Sequence, residues 1–216
     1  MFYLGPHHSY KARELDVFPW LVHGFGTRLT DIRLLAALAT VKQVHSAICV
    51  AAEGRTGVLA EADALVENTP GNLIAVKTAD CIPILLVDER LRAVAAVHAG
   101  WRGTAAHIAP AAIEAMGRRF GSRPEDLHAA IGPGIGACCY EVGPEVMEQF
   151  GGQGRGRLDL EAENCRQLEQ SGVTASRIYA SHLCTMCESD QFHSFRRDRD
   201  AAGRMYSFAG ITPRVD

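Results

Sequence analysis

A thiol and an imidazole stand at the two ends of one predicted β-hairpin. Two short apolar runs, Ile82 to Val87 and Ala93 to Val97, are separated by a polar break, a pattern that predicts two antiparallel strands joined by a turn. A turn centred between residues 89 and 90 places Cys81 directly opposite His98. Opposed side chains lie about 5 Å apart on the same side of a sheet. Such a pair suits a metal ion, or a nucleophile and its base.

A third candidate ligand is His45, at the start of another predicted strand. Two histidines and one cysteine form a familiar catalytic zinc set, in which the fourth position stays open for water or substrate. His45 is distant from Cys81 in the sequence, and a lone histidine on a strand is more often an ordinary core or rim residue. The residues alone therefore leave open both a zinc site and a metal-free pair of Cys81 and His98.

Arginines next to flexible backbone suggest an anion-binding site. Arg102 lies between two glycines in the segment 98–103, and a second glycine-rich loop covers residues 132–136. Arg28, Arg196 and Arg197 are further candidates, because a guanidinium binds phosphate through two parallel hydrogen bonds. Adjacent arginines on a strand point to opposite faces, so Arg196 and Arg197 do not easily reach one site. Ion pairs with neighbouring carboxylates are the alternative role for all of them.

Composition limits the class of protein. The chain has 216 residues, of which 47% are hydrophobic, and a formal net charge of −3. We expect one domain over residues 1–216, no nucleic-acid partner and no membrane segment. The first residues lack the features of a signal peptide, which predicts a cytoplasmic protein. Its seven cysteines are then reduced, and the Cys184-x-x-Cys187 spacing, without a second such motif, is interpreted as structural or incidental.

The elements that must position these residues form an α+β pattern. Strands in hairpin-like runs precede the longest helix, which favours mixed or antiparallel sheets flanked by helices over a doubly wound parallel sheet. The predicted strands are Val44–Ala51, Asp63–Val66, Leu73–Lys77, Leu127–Ile131, Ile178–Ala180 and Phe192–Phe195, besides the hairpin. The predicted helices are Ile32–Ala39, Gly103–Phe120 with a kink or restart at Pro110, Glu141–Phe150, and one capped by Asp159 that ends near Ser171.

Several ordered blocks resemble one known family. They are QVH (43–45), TADCIPILL (78–86), HAGWRG (98–103), IGPGIGACCYEVG (131–143) and SFRRD (194–198). Together they are similar to the YfiH/laccase-domain family, once described as multicopper polyphenol oxidoreductases and now associated with purine nucleoside phosphorolysis. The resemblance implies that His45, Cys81 and His98 bind zinc in a single-domain cytoplasmic enzyme. It also implies phosphate-dependent cleavage of adenosine, inosine and 5′-methylthioadenosine, with adenosine deaminase activity.

The histidines decide between the two descriptions of that family. A multicopper oxidase needs a type 1 copper site and a trinuclear cluster built from paired His-x-His motifs, about ten histidines in all. This chain has nine histidines and no His-x-His motif. We therefore expect zinc as the cofactor, with any copper being adventitious. The segment after Arg28 is also shorter than is usual in the family, which leaves the preferred nucleoside open.

These observations combine into one hypothesis with stated roles. The catalytic residues are Cys81, His98 and Arg102, with Arg28, Arg196 and Arg197 as substrate-binding candidates. The partners are a purine nucleoside and phosphate, and the protein is expected to be a monomer or a homodimer. The alternatives are a metal-independent cysteine hydrolase that uses Cys81 and His98, and a zinc-stabilised module that only binds a nucleotide.

Overall fold

The computed structural model describes residues 1–31 and 38–213. The strands are β1 (Phe2–Leu4), β2 (Ser9–Ala12), β3 (Leu21–Gly26), β4 (Leu38–Lys42), β5 (Cys49–Ala51), β6 (Gly57–Glu61), β7 (Ala64–Glu67), β8 (Leu73–Thr78), β9 (Ile82–Asp88), β10 (Ala93–Ala99), β11 (Leu127–Ile131), β12 (Glu141–Val142), β13 (Gly156–Arg157), β14 (Ile178–Ala180) and β15 (Met205–Ile211). The helices are α1 (Trp101–Ala105), α2 (Ile108–Phe120), α3 (Pro144–Met147), α4 (Leu160–Gln170) and α5 (Phe195–Asp198). Short 3-10 turns cover Pro6–His8, Arg13–Leu15, Pro124–Asp126, Glu148–Phe150, Ala175–Arg177 and Arg199–Ala201.

Two mixed sheets form the framework. The first has the strand order β1-β2-β3-β15-β8-β4-β6, the second has the order β14-β11-β9-β10-β7-β5, and β12 and β13 pair separately. Most neighbours are antiparallel, whereas β4 runs parallel to β6 and β8, β5 to β7, and β11 to β14. This architecture confirms the predicted α+β class with mixed sheets.

The sheets and helices stack in three layers around two apolar cores. One core lies between the two sheets and contains Phe25 and Ile74 from the first sheet and Leu85 from the second. The other core lies between the second sheet and the helices, where Ile84 packs with Met116 of α2 and other apolar residues. Strands β9 and β10 are buried along their whole length, which explains why both read as continuous apolar runs.

The long predicted helix is two helices. α1 and α2 are separated at His107, which has a left-handed backbone (φ 62°). Pro110 is the third residue of α2, inside the first turn, where backbone N–H groups have no intrahelical acceptor. The sequence therefore predicted the restart but not the residue at which the chain turns. For α4 the prediction was correct, because the Asp159 side chain accepts a hydrogen bond from the Ala162 N–H (2.9 Å) as a helix N-cap.

The hairpin register differs from the prediction. His98 pairs with Pro83 and Ala99 pairs with Ile82, so the turn is centred between residues 90 and 91. Cys81 lies just before β9 and is not directly opposite His98. The predicted turn centre was one residue too early, so the predicted partner of His98 was two residues away from the observed one. The turn length was inferred only from the polar break between the apolar runs.

Several other element predictions also need correction. Within Val44–Ala51 only the last three residues form a strand, and the segment Phe192–Phe195 leads into helix α5 instead of forming a strand. Glu141–Phe150 starts as strand β12 before it becomes helical. For the predicted helix Ile32–Ala39, residues 32–37 lie outside the described ranges, and its last two residues begin β4. None of the helices in the described ranges has the length and apolar character needed to span a bilayer.

Replacing Gly132 with alanine should destabilise the fold. Gly132 follows β11, and a Cβ there would lie 2.0 Å from Cδ1 of Phe25, a fully buried side chain of the core between the sheets. Overpacking of this kind costs about 1–3 kcal/mol, measurable as a lower free energy of unfolding in urea. Gly156→Ala is the control, because the nearest atom to its new Cβ is the flexible methyl end of Met147 at 3.3 Å. Equal stability of the two variants would contradict this packing.

Candidate metal site and cavity

Three potential metal ligands converge at one end of the second sheet. One ligand atom each from His45, Cys81 and His98 lies within 4.8 Å of the others. His45 is in the loop after β4, Cys81 in the turn that enters β9, and His98 near the end of β10. The imidazole rings of His45 and His98 meet edge to face, with centroids 5.0 Å apart. The structure therefore brings together all three predicted ligands.

The contact between Cys81 and His98 is diagonal. His98 pairs with Pro83, two residues after Cys81, and diagonal neighbours on one face of a sheet still lie within reach of long side chains. Asp80, just before Cys81, has a left-handed backbone (φ 85°), so the chain bends sharply as it enters β9. The predicted proximity is present, but the argument of direct cross-strand opposition was wrong.

Asp63 holds two of the ligands in place and was missed in the sequence. Its fully buried carboxylate accepts hydrogen bonds from the backbone N–H groups of Val44, His45 and Ser46 and from the Ser46 hydroxyl. It also contacts Nδ1 of His98 at 2.8 Å, which leaves Nε2 of that ring to face the cluster. Carboxylates that orient a ligating imidazole in this way are common around zinc.

The charges of the cluster stabilise one another. Burial opposes ionisation of Asp63, but the hydrogen bonds from His98 and Ser46 outweigh it and hold the pKa of this carboxyl well below its usual range. Burial also opposes the Cys81 thiolate, yet hydrogen bonds from His45 and His98 lower the pKa of Cys81 to about 6. Against the effect of burial, Asp63 and Cys81 raise the pKa of His98 to about 9. Cys81 is therefore a thiolate at neutral pH, the form that binds metals or attacks substrates.

Gly100 leaves the space that the thiol occupies. A Cβ at this position would lie 2.8 Å from Sγ of Cys81 and 3.2 Å from Cδ2 of His45. Because Gly100 follows β10 directly and caps α1, any larger residue would push on two ligands at once. This close approach explains the glycine that precedes Trp101 and Arg102.

The cluster opens into a cavity of about 630 Å³ that is lined by many positively charged side chains. Its lining includes four arginines and two lysines, which are Arg102, Arg196, Arg199, Arg204, Lys42 and Lys77. Aromatic and apolar side chains complete the walls, namely Trp101, Tyr140, Phe195, Ile135 and Leu160. A cavity with this lining can bind a flat aromatic group and an anion side by side.

The structure separates the predicted arginines into two groups. Arg102 and Arg196 line the cavity, where their guanidinium groups lie over the rings of Trp101 (4.2 Å) and Tyr140 (5.2 Å). Arg28 and Arg197 are not among the described residues that line it.

Arg28 and Arg197 have other contacts. Arg28 donates to the Ser189 carbonyl (2.7 Å), and Arg197 binds the Asp198 carboxylate and the carbonyls of Thr185, Met186 and Phe192. Arg196 and Arg197 lie on the short helix α5 and not on a strand. For Arg197 the alternative role, an ion pair, is the one that the structure supports.

Asp80 connects the cluster to the segment that forms the opposite wall of the cavity. One oxygen of its largely buried carboxylate accepts from the Thr185 hydroxyl (2.7 Å), and the other accepts from the backbone N–H of Arg196 (2.6 Å). The residue that precedes Cys81 therefore positions the segment that brings Phe195 and Arg196 to the cavity. Both oxygens of Asp80 are engaged in holding this wall.

The sequence and the fold both match known proteins. Residues 27–212 match the model of the multi-copper polyphenol oxidoreductase laccase family. The chain belongs to this family. A purine nucleoside phosphorylase of Deinococcus radiodurans is 41% identical over 199 residues, covering 84% of this chain and 76% of the relative. Adenosine deaminase RL5, from an unknown prokaryotic organism, is 42% identical over 163 residues, covering 69% of this chain and 61% of that protein.

A solved structure extends the match over nearly the whole fold. The crystal structure of YlmD from Geobacillus stearothermophilus superposes with a TM-score of 0.89 at 29% sequence identity, covering 98% of each chain. The resemblance stated from the sequence blocks is therefore confirmed, and the mixed-sheet fold is that of this laccase family.

The histidines of this family member do not form a multicopper centre. All nine histidines lie within the described ranges, and only His45 and His98 join a group of potential metal ligands there. The other group in the described part of the chain consists of cysteines alone. A trinuclear copper cluster needs several more imidazoles than these groups of described residues contain.

Asp63→Asn should weaken metal binding without unfolding the protein. An amide cannot replace the second negatively charged oxygen that orients the 44–46 loop, and its NH₂ group would face backbone donors. Loss of such an orienting carboxylate typically costs about 10- to 100-fold in metal affinity, measurable by zinc competition with a chromophoric chelator. Asp88→Asn is the matched control, since this buried strand-end carboxylate binds the N–H groups of Arg90 and Leu91 away from the cluster. Unchanged affinity in Asp63→Asn would contradict the positioning role.

Proposed function

We propose that this protein is a zinc-dependent purine nucleoside phosphorylase that acts on adenosine, inosine and 5′-methylthioadenosine, with accompanying adenosine deaminase activity. One observation carries the proposal: a three-ligand cluster of His45, Cys81 and His98 opens into a cavity lined by four arginines. The names of the family relatives agree with an enzyme of this class.

The donor set fits zinc. Two imidazoles and a thiolate are borderline-soft ligands, and three protein ligands with an open side are typical of catalytic zinc. His45, Cys81 and His98 would hold the ion, with Asp63 fixing the tautomer of His98 through Nδ1. When bound, zinc would activate a water molecule at neutral pH and polarise a substrate atom, which suits attack at the purine C6 in deamination.

Phosphorolysis needs an anion site beside the sugar. A phosphate oxygen forms a bond to the anomeric carbon while the glycosidic bond to the base nitrogen breaks, and the departing base takes up a proton. Arg102 and Arg196 are the predicted phosphate ligands that reach the cavity, and Arg199 and Arg204 line the same space. Their charges would bind the phosphate dianion and stabilise the negative charge that develops on the departing base.

The aromatic residues would hold the purine. Trp101, Tyr140 and Phe195 offer ring faces for stacking, a contact that any purine can make. Burial, together with the nearby Cys81 thiolate, raises the pKa of Tyr140 to about 12. The phenol therefore stays protonated at neutral pH and can donate a hydrogen bond to a ring nitrogen or a sugar oxygen.

A metal-independent cysteine hydrolase is the second candidate. The mutual pKa shifts of Cys81 and His98 resemble those of a thiolate–imidazolium pair in cysteine-dependent enzymes. Rapid alkylation of Cys81 by iodoacetamide in a protein without stoichiometric zinc would favour this candidate. Tight nucleoside binding with no base release at high phosphate would instead favour a zinc-stabilised binding module.

The decisive experiment compares Cys81→Ala with the wild type. The purified proteins are incubated with each of the three nucleosides, with and without phosphate, and the free base is measured by chromatography. We expect phosphate-dependent base release by the wild type. Cys81→Ala should lose both its turnover and the zinc held by the three ligands. Cys165→Ala is the control, because Cys165 lies in α4 outside both clusters. Full phosphorolysis by a Cys81→Ala protein whose His45 and His98 hold no metal would refute the proposal.

The arginines offer a second test that separates two predictions made from the sequence. Arg102→Gln removes a cavity-lining charge, and a hydrogen bond to a charged group is worth about 1.5–3 kcal/mol. The KM for phosphate should therefore rise about 10- to 100-fold. Arg28→Gln should leave it near the wild-type value, because the Arg28 guanidinium binds the Ser189 carbonyl outside the cavity lining. A larger effect at Arg28 than at Arg102 would move the phosphate site away from this cavity.

A further inference from the structure

Four cysteines that are far apart in the sequence meet in space outside the candidate active site. Cys138 and Cys139 lie in the loop between β11 and β12, and Cys184 and Cys187 lie in the loop after β14. Their four sulfur atoms all lie within 4.8 Å of one another. Sγ of Cys187 is 3.6 Å from that of Cys138 and 3.4 Å from that of Cys139.

We propose that Cys138, Cys139, Cys184 and Cys187 bind a second zinc ion in a structural tetrathiolate site. A zinc–sulfur bond of about 2.3 Å places the sulfurs of a tetrahedral site about 3.8 Å apart, close to the separations in this cluster. A disulfide needs about 2.05 Å, and all seven cysteines are free thiols. Four protein ligands close the coordination shell, which distinguishes this site from the open one at Cys81.

The surrounding backbone already holds the four thiols in this arrangement. The Gly136 N–H donates to Sγ of the buried Cys184 (3.3 Å), a contact that stabilises a thiolate. Thr185 N–H donates to the Gly134 carbonyl (2.9 Å) and Gly134 N–H donates to the Leu183 carbonyl (3.3 Å). These bonds align the two cysteine-bearing loops side by side, so little further ordering is needed for an ion to bind.

The number and spacing of the thiols favour a single ion over an iron–sulfur cluster. Iron–sulfur clusters contain several iron atoms bridged by inorganic sulfide, and their cysteine ligands bind different iron atoms and lie farther apart, whereas these four sulfurs surround a space for a single ion. Cys138 and Cys187 are exposed, so an ion can enter from solvent. Binding releases the thiol protons and leaves four thiolates on one ion.

The site would brace one wall of the active-site cavity. Tyr140 follows Cys139 directly, and Arg197 fixes the segment after Cys184 by donating to the carbonyls of Thr185 and Met186. That segment continues into α5, which carries Arg196 to the cavity. The ion would therefore tie together the loops that supply Tyr140 and Arg196, a role separate from catalysis.

Metal analysis of matched serine variants tests the second site. Zinc per chain is measured after dialysis: we expect two for wild type and for Cys165→Ser, and one each for Cys187→Ser and Cys81→Ser. Cys81→Ser loaded with Co²⁺ should show the intense visible absorption of a tetrathiolate centre, and Cys187→Ser should not. Cys187→Ser should also melt at a lower temperature than Cys165→Ser.

Several outcomes would overturn this proposal. Cys81→Ser keeps all four thiols of the second site, so a metal-free Cys81→Ser protein argues against it even if Cys187→Ser fails to fold. Free thiols can be counted in the wild type after denaturation and metal chelation. A count of five instead of seven would show a disulfide in place of the metal site. Copper or iron in place of zinc would also contradict it. The Cys187→Ser variant reports zinc at His45, Cys81 and His98 alone, and Cys81→Ser reports zinc at the four cysteines alone. The metal counts therefore test the second site even if the proposed enzymatic activity is not found.

Discussion

The candidate site depends on one buried carboxylate. Burying a charge is costly unless it is fully hydrogen-bonded, and Asp63 meets this requirement with donors that all belong to the site: three consecutive backbone N–H groups at residues 44–46, the Ser46 hydroxyl and the His98 ring. The loop that carries His45 therefore folds around Asp63, and the left-handed backbone of His45 (φ 61°) is held by these bonds. Two candidate metal ligands, one in a loop and one on strand β10, are thus fixed by one side chain.

The cluster and the cavity wall differ in how they are supported. Cys81 and His98 belong to the β9–β10 hairpin, which is buried on both faces in the middle of the three layers. The opposite wall consists of loops and the short helix α5, and the carboxylate of Asp80 attaches it to the cluster through Thr185 and Arg196. In the proposed enzyme, the ligands would lie on rigid strands while the opposite wall adjusts to substrates of different size.

The sequence predicted the elements with strong local signals and missed those set by distant contacts. The apolar runs of β9 and β10, the apolar face of α2 and the Asp159 cap of α4 are local, and each was found. The register of the hairpin was not, because a polar break does not define the turn length. Phe192–Phe195 was read as a strand, although the Ser194 side chain accepts from Arg197 N–H (3.2 Å) and caps α5.

The candidate metal ligands show the same division between local and distant information. His45, Cys81 and His98 were found with the help of ordered family blocks, whereas Asp63 carried no signal beyond a carboxylate at a strand boundary. The thiols of Cys184 and Cys187 were set aside because no second CxxC motif exists. Their partners are the adjacent pair Cys138 and Cys139, which only the alignment of two loops reveals. Candidate metal sites assembled from different loops can therefore be recognised only in the folded structure. The sequence shows which residue types could act as ligands, but not which of them meet.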